Sequence, residues 1–298
     1  MRKERNRFPR KFQSVEDLPR PVAELVFQHL PPGAIRLIVT IPPGAYPIRR
    51  KMWGIELPFG WRQTPERTLI FGQDHFLMID AARDEGFVCE CIPLAALVEL
   101  QHFQVLLYSW LALRWDASGE VRTARAEYNS VGTRLMWKGI SAIRETFAQR
   151  PLPAPGLDAT SLADFPYKFR NYTMSSLMPG EHLAGAVYQP AIRAQERRWS
   201  RYISPNRVLA LTDRSIVLIE DQHDRIRWGS RTEADHAVMQ RFLPLERFVG
   251  AEFERAVDSD QCILRFAMRN LLYEVYVPLL SDQSERVREL LASRVSVS

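Results

Sequence analysis

Two stretches of the chain share one pattern of hydrophobic and polar positions. Residues 209–221, LALTDRSIVLIED, are two apolar runs joined by Thr212-Asp213-Arg214, and residues 68–80, TLIFGQDHFLMID, have the same form. Two apolar strands joined by a short polar turn are typical of a β-hairpin, in which the length of the turn fixes which side chains share a face. The repetition predicts two copies of one β-rich unit.

Further matched positions recur in the same order in both halves of the chain. The offsets from Gly33 to Gly180, from Arg67 to Arg207 and from Pro93 to Pro244 are 147, 140 and 151 residues. Gly33 and Gly180 each follow a proline, Pro32 and Pro179. Loop insertions account for differences of this size between repeats. The shared order therefore supports a duplication.

Each predicted unit ends in alternating segments followed by a helix. In the second half, residues 262–268 alternate between apolar and more polar side chains, and residues 271–279 continue as another strand. In the first half, Asp116-Ala117-Ser118-Gly119 predicts a hairpin turn before residues 121–128. Apolar residues at helical spacing then predict closing helices over residues 133–149 and 282–294.

The length of the chain and one proline-rich segment predict two domains. A chain of 298 residues is long for a single hydrophobic core, and Pro151, Pro153 and Pro155, followed by Gly156, predict a linker. The fold class is α+β and mainly β. The predicted organisation is a basic tail with a short helix over residues 1–29, a first domain over 30–150, a Pro-rich linker over 151–164 and a second domain over 165–298.

The segment VLALTDRSIVLIED (208–221) resembles the strand-turn-strand hairpin of bacterial pleckstrin-homology-like (PH-like) domains, and PGEHLAGAVY (179–188) is similar to their opening strand. Residues 30–150 lack the Leu-Thr-Asp-Arg pattern and resemble the family through their likeness to the second half. The resemblance implies two PH-like domains, each a curved antiparallel sheet or partly open barrel capped by a C-terminal helix.

The loop that joins the first two strands often binds anionic lipid headgroups in eukaryotic members of this superfamily, and here that region is rich in Arg and Trp in both halves. The resulting ligand-binding candidates are Arg49, Arg50, Lys51 and Trp53 in the first half and Arg197, Arg198, Trp199 and Arg201 in the second. Guanidinium groups form forked hydrogen bonds with phosphate, and tryptophan favours the bilayer interface. The alternative interpretation is a set of solvated arginines around a tryptophan that covers the core.

The formal net charge of +5 originates in the N-terminal segment. Residues 1–11 contain six basic residues and one acidic residue, so the remainder of the chain is formally neutral. A neutral body argues against nucleic-acid binding through an extended basic face. The tail is either a solvated, mobile end or a segment that anionic lipid attracts.

Residues 103–115, FQVLLYSWLALRW, predict a strand that is apolar on both faces. A strand in a small solvated sheet normally has one polar face, so its second apolar face needs a cover. The candidates for that cover are the other domain, residues 21–30 as a packed helix, a partner chain, or a second copy in a homo-oligomer that forms through 103–115.

The sequence contains no recognisable catalytic motif: no Gly-x-Ser-x-Gly elbow, no Gly-rich phosphate loop and no His-Glu-x-x-His helix. We therefore expect a protein that is not an enzyme, without catalytic residues, cofactor or metal. Three cysteines, Cys89, Cys91 and Cys262, and no signal-peptide pattern indicate reduced thiols and a cytoplasmic protein. Attachment to the inner face of the membrane is the alternative location.

These observations together predict a non-catalytic binding or scaffolding module. It would recognise a partner protein or peptide through its tandem PH-like domains. The alternative function is that of a peripheral membrane protein, which binds anionic lipid headgroups through the basic tail and the Arg/Trp loops.

Overall fold

The computed structural model describes residues 8–52, 55–82, 86–149, 162–196, 199–221, 237–255, 261–269, 277–292 and 296–297. Four α-helices occur within these residues: α1 (Arg20–His29), α2 (Thr133–Arg144), α3 (Tyr167–Ser175) and α4 (Ser281–Ala292). Among the described helices, none is both long enough and apolar enough to cross a bilayer.

Twenty strands account for most of the remaining described residues. In the first half they are β1 (Arg10–Phe12), β2 (Ile35–Ile41), β3 (Gly44–Met52), β4 (Ile55–Thr64), β5 (Arg67–Gly72), β6 (His75–Ala81), β7 (Phe87–Pro93), β8 (Leu97–Val105), β9 (Tyr108–Ala117) and β10 (Glu120–Tyr128). In the second half they are β11 (Leu183–Gln189), β12 (Ile192–Glu196), β13 (Trp199–Ser204), β14 (Arg207–Thr212), β15 (Ser215–Asp221), β16 (Val238–Pro244), β17 (Phe248–Arg255), β18 (Gln261–Met268), β19 (Val277–Leu280) and β20 (Ser296–Val297).

The strands form sheets that are almost wholly antiparallel. A five-stranded sheet has the order β1-β2-β5-β6-β7, a seven-stranded sheet the order β10-β9-β8-β16-β15-β14-β11, and a four-stranded sheet the order β19-β18-β17-β20. The hairpins β3-β4 and β12-β13 form two-stranded sheets, and β17 with β20 is a parallel pair. The expectation of a mainly β protein is confirmed, and none of the sheets in the described residues closes into a barrel.

The two halves repeat the same succession of elements. In each half a first strand is followed by a hairpin, three strands, a further meander and a helix, from β2 to α2 and from β11 to α4. Even the irregularities recur: the register shifts between Ile35 and Leu37, and again between Leu183 and Gly185, where each first strand pairs with the fourth. Matching bulges in β8 and β17 lie 151 residues apart, between Leu97/Glu99 and Phe248/Gly250.

Backbone hydrogen bonds at the turn after β5 and the turn after β14 also correspond. Gln73 N donates to Ala34 O at 2.8 Å, and Asp213 N donates to His182 O at 3.1 Å. Leu94 N donates to Asp74 O, and Leu245 N donates to Arg214 O, both at 2.8 Å. The matched positions Arg67 and Arg207 each form an ion pair across the hairpin, with Asp80 and Glu220. The sequence anchors therefore fall at equivalent positions of the backbone.

The seven-stranded sheet contains strands from both halves because β16 pairs with β8 in antiparallel register. Residues 30–150 and 165–298 thus share a continuous sheet. The predicted domain boundaries remain predictions, and most of the predicted linker, residues 151–161, lies outside the described residues.

The largest cluster of buried side chains also joins the halves. Phe71 of β5 and Ile140 of α2 belong to the same cluster as Val217 of β15 and Phe242 of β16. The Trp137 ring of α2 lies 6.1 Å from the Phe242 ring, edge to face. The closing helix of the first half consequently packs on strands of the second, which explains why β14 and β15 are buried along their whole length.

Two smaller clusters complete the interior. Helix α1 covers the outer face of the five-stranded sheet, where Val22 and Val26 pack with Ile70 and Leu77. The second half has its own core, in which β14, β15 and β18 pack with Val287 and Leu291 of α4. The helical spacing predicted for the closing helices is confirmed within α2 and α4, since Met136, Ile140, Ile143, Val287 and Leu291 are buried. The prediction that the first of these helices extends to residue 149 is wrong, because α2 ends at Arg144 and the buried Phe147 lies in the turn that follows.

The prediction that residues 103–115 form one strand is wrong. They are the end of β8 and most of β9, joined by a two-residue turn at Leu106 and Leu107. Leu111 and Leu113 face the shared core, whereas Trp110 is covered within the chain by a stacked Phe103 ring at 5.6 Å and by the Arg125 guanidinium at 4.3 Å. Residues 21–30, which fall almost entirely in α1, cover a different sheet.

Candidate functional site

The predicted Arg/Trp residues lie on hairpins that occupy equivalent places in the two halves. Arg49, Arg50 and Lys51 belong to β3, and Trp199 and Arg201 belong to β13. Of these five residues the structure describes the backbone alone. Trp53, Arg197 and Arg198 lie outside the described residues.

The register of each hairpin places the predicted residues near its free end. The last pairs before the turn are Met52 with Ile55 and Glu196 with Trp199. The described residues of both Arg/Trp sets therefore lie toward the free ends of corresponding hairpins. Anion binding by these tips stays a prediction.

The Thr212-Asp213-Arg214 turn of the second half binds the segment that follows helix α2 of the first half. Arg214 Nη1 donates to Phe147 O at 2.9 Å, and Arg214 Nη2 donates to Gln149 Oε1 at 3.1 Å. Asp213 Oδ2 accepts from Gln149 Nε2 at 2.6 Å. The polar turn of the second half therefore has two roles. It joins β14 to β15, and its side chains bind the first half through hydrogen bonds.

A buried ion pair lies directly behind this turn. Arg144 Nη2 of α2 donates to both carboxylate oxygens of Glu181, at 2.8 and 2.7 Å, and the residues are 37 positions apart in sequence. Their side chains are 1% and 0% exposed. Arg144 Nη1 also donates to Ser176 O, and its guanidinium lies 4.2 Å from the Phe242 ring.

The remaining lone pairs of Glu181 are used as well. Thr212 Oγ1 donates to Oε1 at 2.6 Å, and Met178 N donates to Oε2 at 2.9 Å. Burial lowers the pKa of Arg144, and the adjacent Glu181 carboxylate opposes that shift. Both partners of the pair thus have further hydrogen bonds, which help to offset the cost of burying the two charges. Arg144 Nε is buried without a hydrogen-bond partner among the described residues.

A neutral histidine, His102, lies near this ion pair, where the two halves meet. Gln240 Nε2 donates to Ser176 Oγ at 2.8 Å, which leaves Gln240 Oε1 to accept from His102 Nδ1 at 3.4 Å. His102 Nε2 can then accept from the Tyr128 hydroxyl at 2.6 Å. Burial lowers the pKa of His102 to about 4, against a smaller opposing effect of the Gln240 hydrogen bond.

On the opposite face of the seven-stranded sheet, Glu99 of β8 is fully buried between cations of both halves. It pairs with Arg241 of β16, and its second oxygen accepts from Gln101 Nε2 at 2.7 Å and lies 3.3 Å from Arg114 Nη1. The seam between the halves therefore carries polar side chains on both faces of the β8–β16 pair. These groups bind one another, which makes the seam a specific junction between the halves.

Sequence reasoning did not find these junction residues because their partners are distant along the chain. Glu99 and Arg241 are 142 positions apart, and His102 and Gln240 are 138 apart. The only local signal was the polar turn 212–214, and it indicated a hairpin turn without showing what the turn contacts.

A cleft of about 420 Å³ opens between the halves at the edge of this junction. It is lined by Gln73, Asp74, Leu94, Ala95, Thr146, Glu246, Arg247 and Arg269. Two arginines face two carboxylates, and Arg247 is engaged with Ala95 O at 2.9 Å while Glu246 accepts from Ala148 N at 2.8 Å. The charges of the cleft balance and do not favour one sign of ligand.

Strand β7 ends the five-stranded sheet and has no partner on its second edge among the described strands. Its equivalent in the second half is β16, since Pro93 corresponds to Pro244, and β16 pairs with β8 on that edge. The exposure of the two strands differs accordingly: Val88 in β7 is 63% exposed, whereas residues of β16 are buried or half-buried. A sheet edge of this kind is a template for another strand.

An exposed apolar tip lies where three segments meet. Leu106 and Leu107 are each 70% exposed at the β8–β9 turn, and Val131 beside it is 63% exposed. Ser130 Oγ donates to Val105 O at 2.6 Å, which holds the Val131 segment against the turn. Pro9 packs so closely on Gly132 that a Cβ there would lie 2.4 Å from its ring, so the exposed Phe8 joins the same region.

Basic residues flank this apolar tip. Arg10 and Lys11 in β1 are exposed, and Arg134 and Lys138 are exposed in the first two turns of α2. In sequence, Arg2, Lys3, Arg5 and Arg7 precede Phe8. Apolar side chains among cations are a surface that an anionic bilayer attracts.

Cys89, Cys91 and Cys262 are free thiols. Burial raises the pKa of each of them, so none is activated as a thiolate. Among the described residues, no group of three or more His, Cys, Asp or Glu side chains is arranged to hold a metal ion.

A scan against protein-family models and a search of curated proteins find no match to this chain.

Proposed function

We propose that this protein is a non-catalytic binding module in which two PH-like units, fixed to each other, recognise a partner protein or peptide through sheet edges and the two Arg/Trp hairpins. The observation that carries the proposal is the β8–β16 pair, in which a sheet edge of one half already binds an extended strand of the other. A sheet that binds one strand through backbone hydrogen bonds can bind a second in the same way.

The buried junction supports this function because it fixes the geometry of the binding surfaces. Arg144–Glu181 and Glu99–Arg241 join the two halves, so the open edge in the first half is held relative to the second half. A ligand that contacts two of these surfaces gains the second contact as an intramolecular event.

The test is capture from an extract of the native host with the full-length chain as bait, followed by reconstitution of each captured protein with purified chain. The expected result is at least one partner that binds directly and saturably in calorimetry. A preparation that captures no direct binder and instead turns over members of a generic substrate panel would contradict the proposal.

The second candidate function is attachment to an anionic membrane, and the apolar tip of Phe8, Leu106, Leu107 and Val131 favours it. Burying a leucine side chain contributes about 1.5 to 3 kcal/mol, and each basic residue near an anionic surface contributes about 1 kcal/mol. The basic tail and the predicted Arg/Trp loops would add to that attraction. Together these contributions suffice for reversible binding.

Sedimentation with vesicles that contain phosphatidylserine tests this candidate. We expect salt-sensitive binding that Leu106→Ser/Leu107→Ser reduces at the tip and Arg50→Glu/Arg198→Glu reduces at the hairpins. Leu135→Met, a partly buried substitution on α2, serves as the control and leaves binding unchanged. The absence of binding at low salt would reject membrane attachment.

A further inference from the structure

We infer that the open edge of β7 receives an extended segment of a partner protein, which adds an antiparallel strand to the five-stranded sheet as β8 adds to β16. The inference rests on the proposed binding function and names both the surface and the chemistry of its ligand.

The hydrogen bonds at both ends of β7 show which of its backbone groups point outward. Leu94 N donates to Asp74 O, and Ala82 N donates to Gly86 O, so the even-numbered residues of β7 exchange hydrogen bonds with β6. In an antiparallel pair the intervening residues direct their N–H and C=O groups to the other side. Phe87, Cys89 and Cys91 therefore present three N–H and three C=O groups at the open edge.

The corresponding groups of β16 are the ones that bind β8. At the offset of 151 residues, Phe87, Cys89 and Cys91 correspond to Val238, Gln240 and Phe242, which lie opposite Gln104, His102 and Leu100. Leu245 N donates to Arg214 O and shows the same alternation in β16. The β7 edge is thus the first-half copy of an edge that binds a strand in this molecule.

The side chains of β7 define what the added strand carries. Val88 and Glu90 lie on one face, and Phe87, Cys89 and Cys91 lie on the other, where they pack beside α1. Glu90 takes the place of Arg241 in the equivalent strand, and burial raises its pKa while Arg122 opposes the rise. A matching segment is extended, with apolar residues next to Cys89 and Val88 and a basic residue opposite Glu90.

A second copy of this chain is a poor occupant if it binds β7 as β8 binds β16. The strand equivalent to β8 is β17, and pairing it with β7 in the same register would place Glu252 opposite Glu90 and Glu254 opposite Val88. Like charges directly opposite each other destabilise a sheet. The edge of β17 is also occupied by β20. We therefore assign the β7 edge to a different protein.

The probe is a fluorescent synthetic peptide of residues 97–105, the β8 sequence, with Gln101→Lys and Glu99→Lys. In the β8–β16 register the lysine at position 101 lies opposite Glu90, and the lysine at position 99 lies diagonal to it, opposite Ile92. Its binding to the full-length chain is followed by fluorescence anisotropy. We expect saturable binding, and binding at least about fivefold weaker for the unsubstituted peptide, because each opposed charge pair changes the affinity by up to roughly 1 kcal/mol.

Two edge variants, Cys89→Pro and Val88→Lys, and the control Cys89→Val locate the probe. Cys89→Pro removes an outward N–H without removing a hydrogen bond to β6, and we expect at least about tenfold weaker binding. Cys89→Val changes the same side chain, keeps the N–H, and leaves binding within about twofold. Val88 is exposed, so the site tolerates substitution, and a lysine there repels the basic probe. If Cys89→Pro does not fold, weaker binding by Val88→Lys shows that the probe binds at β7.

Absence of saturable binding, or equal binding by the wild type and both edge variants, overturns the inference. Self-association of the wild type that Cys89→Pro abolishes also overturns it, because the occupant would then be a second copy. If partners captured from the extract bind Cys89→Pro as tightly as the wild type, strand addition at β7 is wrong while the proposed binding function remains.

Discussion

At the scale of single residues, the structure depends on charges that neutralise each other in the interior. Arg144 and Glu181 belong to different halves, and neither side chain reaches solvent. Replacing one partner leaves an uncompensated buried charge. Replacing both with apolar side chains of similar volume leaves no buried charge. The two kinds of change therefore have very different costs.

We predict that Arg144→Met lowers the free energy of unfolding by about 3 to 5 kcal/mol. The double variant Arg144→Met/Glu181→Leu is expected to lose clearly less than the sum of the two single variants, because no charge is left unpaired. Urea unfolding of the four proteins measures this coupling. Strict additivity would contradict the view that the pair acts as a unit.

His102 gives a prediction of pH dependence. Its pKa in the folded protein, about 4, lies below the ordinary value of 6.5, so the unfolded chain binds the proton more readily between these two values. Stability is therefore constant above about pH 6.5 and falls as the pH drops toward 4. The expected loss from this group between pH 7 and pH 4.5 is about 2 kcal/mol.

The measurement is urea unfolding of the wild type and of His102→Gln at several pH values. Protonation of carboxylates destabilises both proteins in acid. The informative quantity is therefore the difference between their free energies of unfolding at each pH. That difference narrows as the pH falls, because the variant has no imidazole to protonate. Parallel profiles would show that His102 is not buried in its neutral form.

At the scale of elements, helix α2 is held by a close contact with the five-stranded sheet. A Cβ added to Gly139 would lie 2.3 Å from the Phe71 ring, and Phe71 is itself fully buried. In an exposed helix, glycine to alanine stabilises by about 1 kcal/mol. Here the cost of overpacking, about 1 to 3 kcal/mol or more, exceeds that gain.

We accordingly predict that Gly139→Ala lowers the melting temperature. Gly33→Ala is the matched control, since no atom lies within 4 Å of its added Cβ, and we expect a shift close to zero. Differential scanning calorimetry measures both variants. A stabilised Gly139→Ala would mean that α2 does not approach Phe71 this closely.

At the scale of the whole molecule, the halves depend on each other for cover. Strand β16 pairs with β8, and the outer faces of β14 and β15 pack in a cluster that contains α2. An isolated second half would expose an open sheet edge and an apolar face. Exposed edges and large apolar patches lead to aggregation.

We therefore predict that residues 162–298, expressed alone, aggregate or remain unfolded, and that co-expression with residues 1–149 restores a soluble complex. Sedimentation velocity and far-UV circular dichroism distinguish these outcomes. A folded, monomeric second half would show that it does not need the first half to cover its sheet edge and apolar face. The full-length chain is the reference for both measurements.

The sequence alone was sufficient for the repeated unit, the mainly β class and the closing helices. These features follow from local periodicity: alternation gives strands, helical spacing gives α2 and α4, and a repeated polar turn marks the hairpin. The run 103–115 was interpreted wrongly because its turn consists of Leu106 and Leu107, and Leu107 adopts a positive φ of 60° that usually indicates glycine or asparagine. Without that signal, the run resembled one continuous strand.

Only the tertiary structure decided how the two units are joined. The β8–β16 pair, the Arg144–Glu181 ion pair and the His102–Tyr128 contact all connect residues that are distant in sequence or belong to different elements. One edge of a strand has the same local pattern whether it is open, as in β7, or paired, as in β16. The difference depends on which strand approaches in space, and the order of residues does not encode that locally.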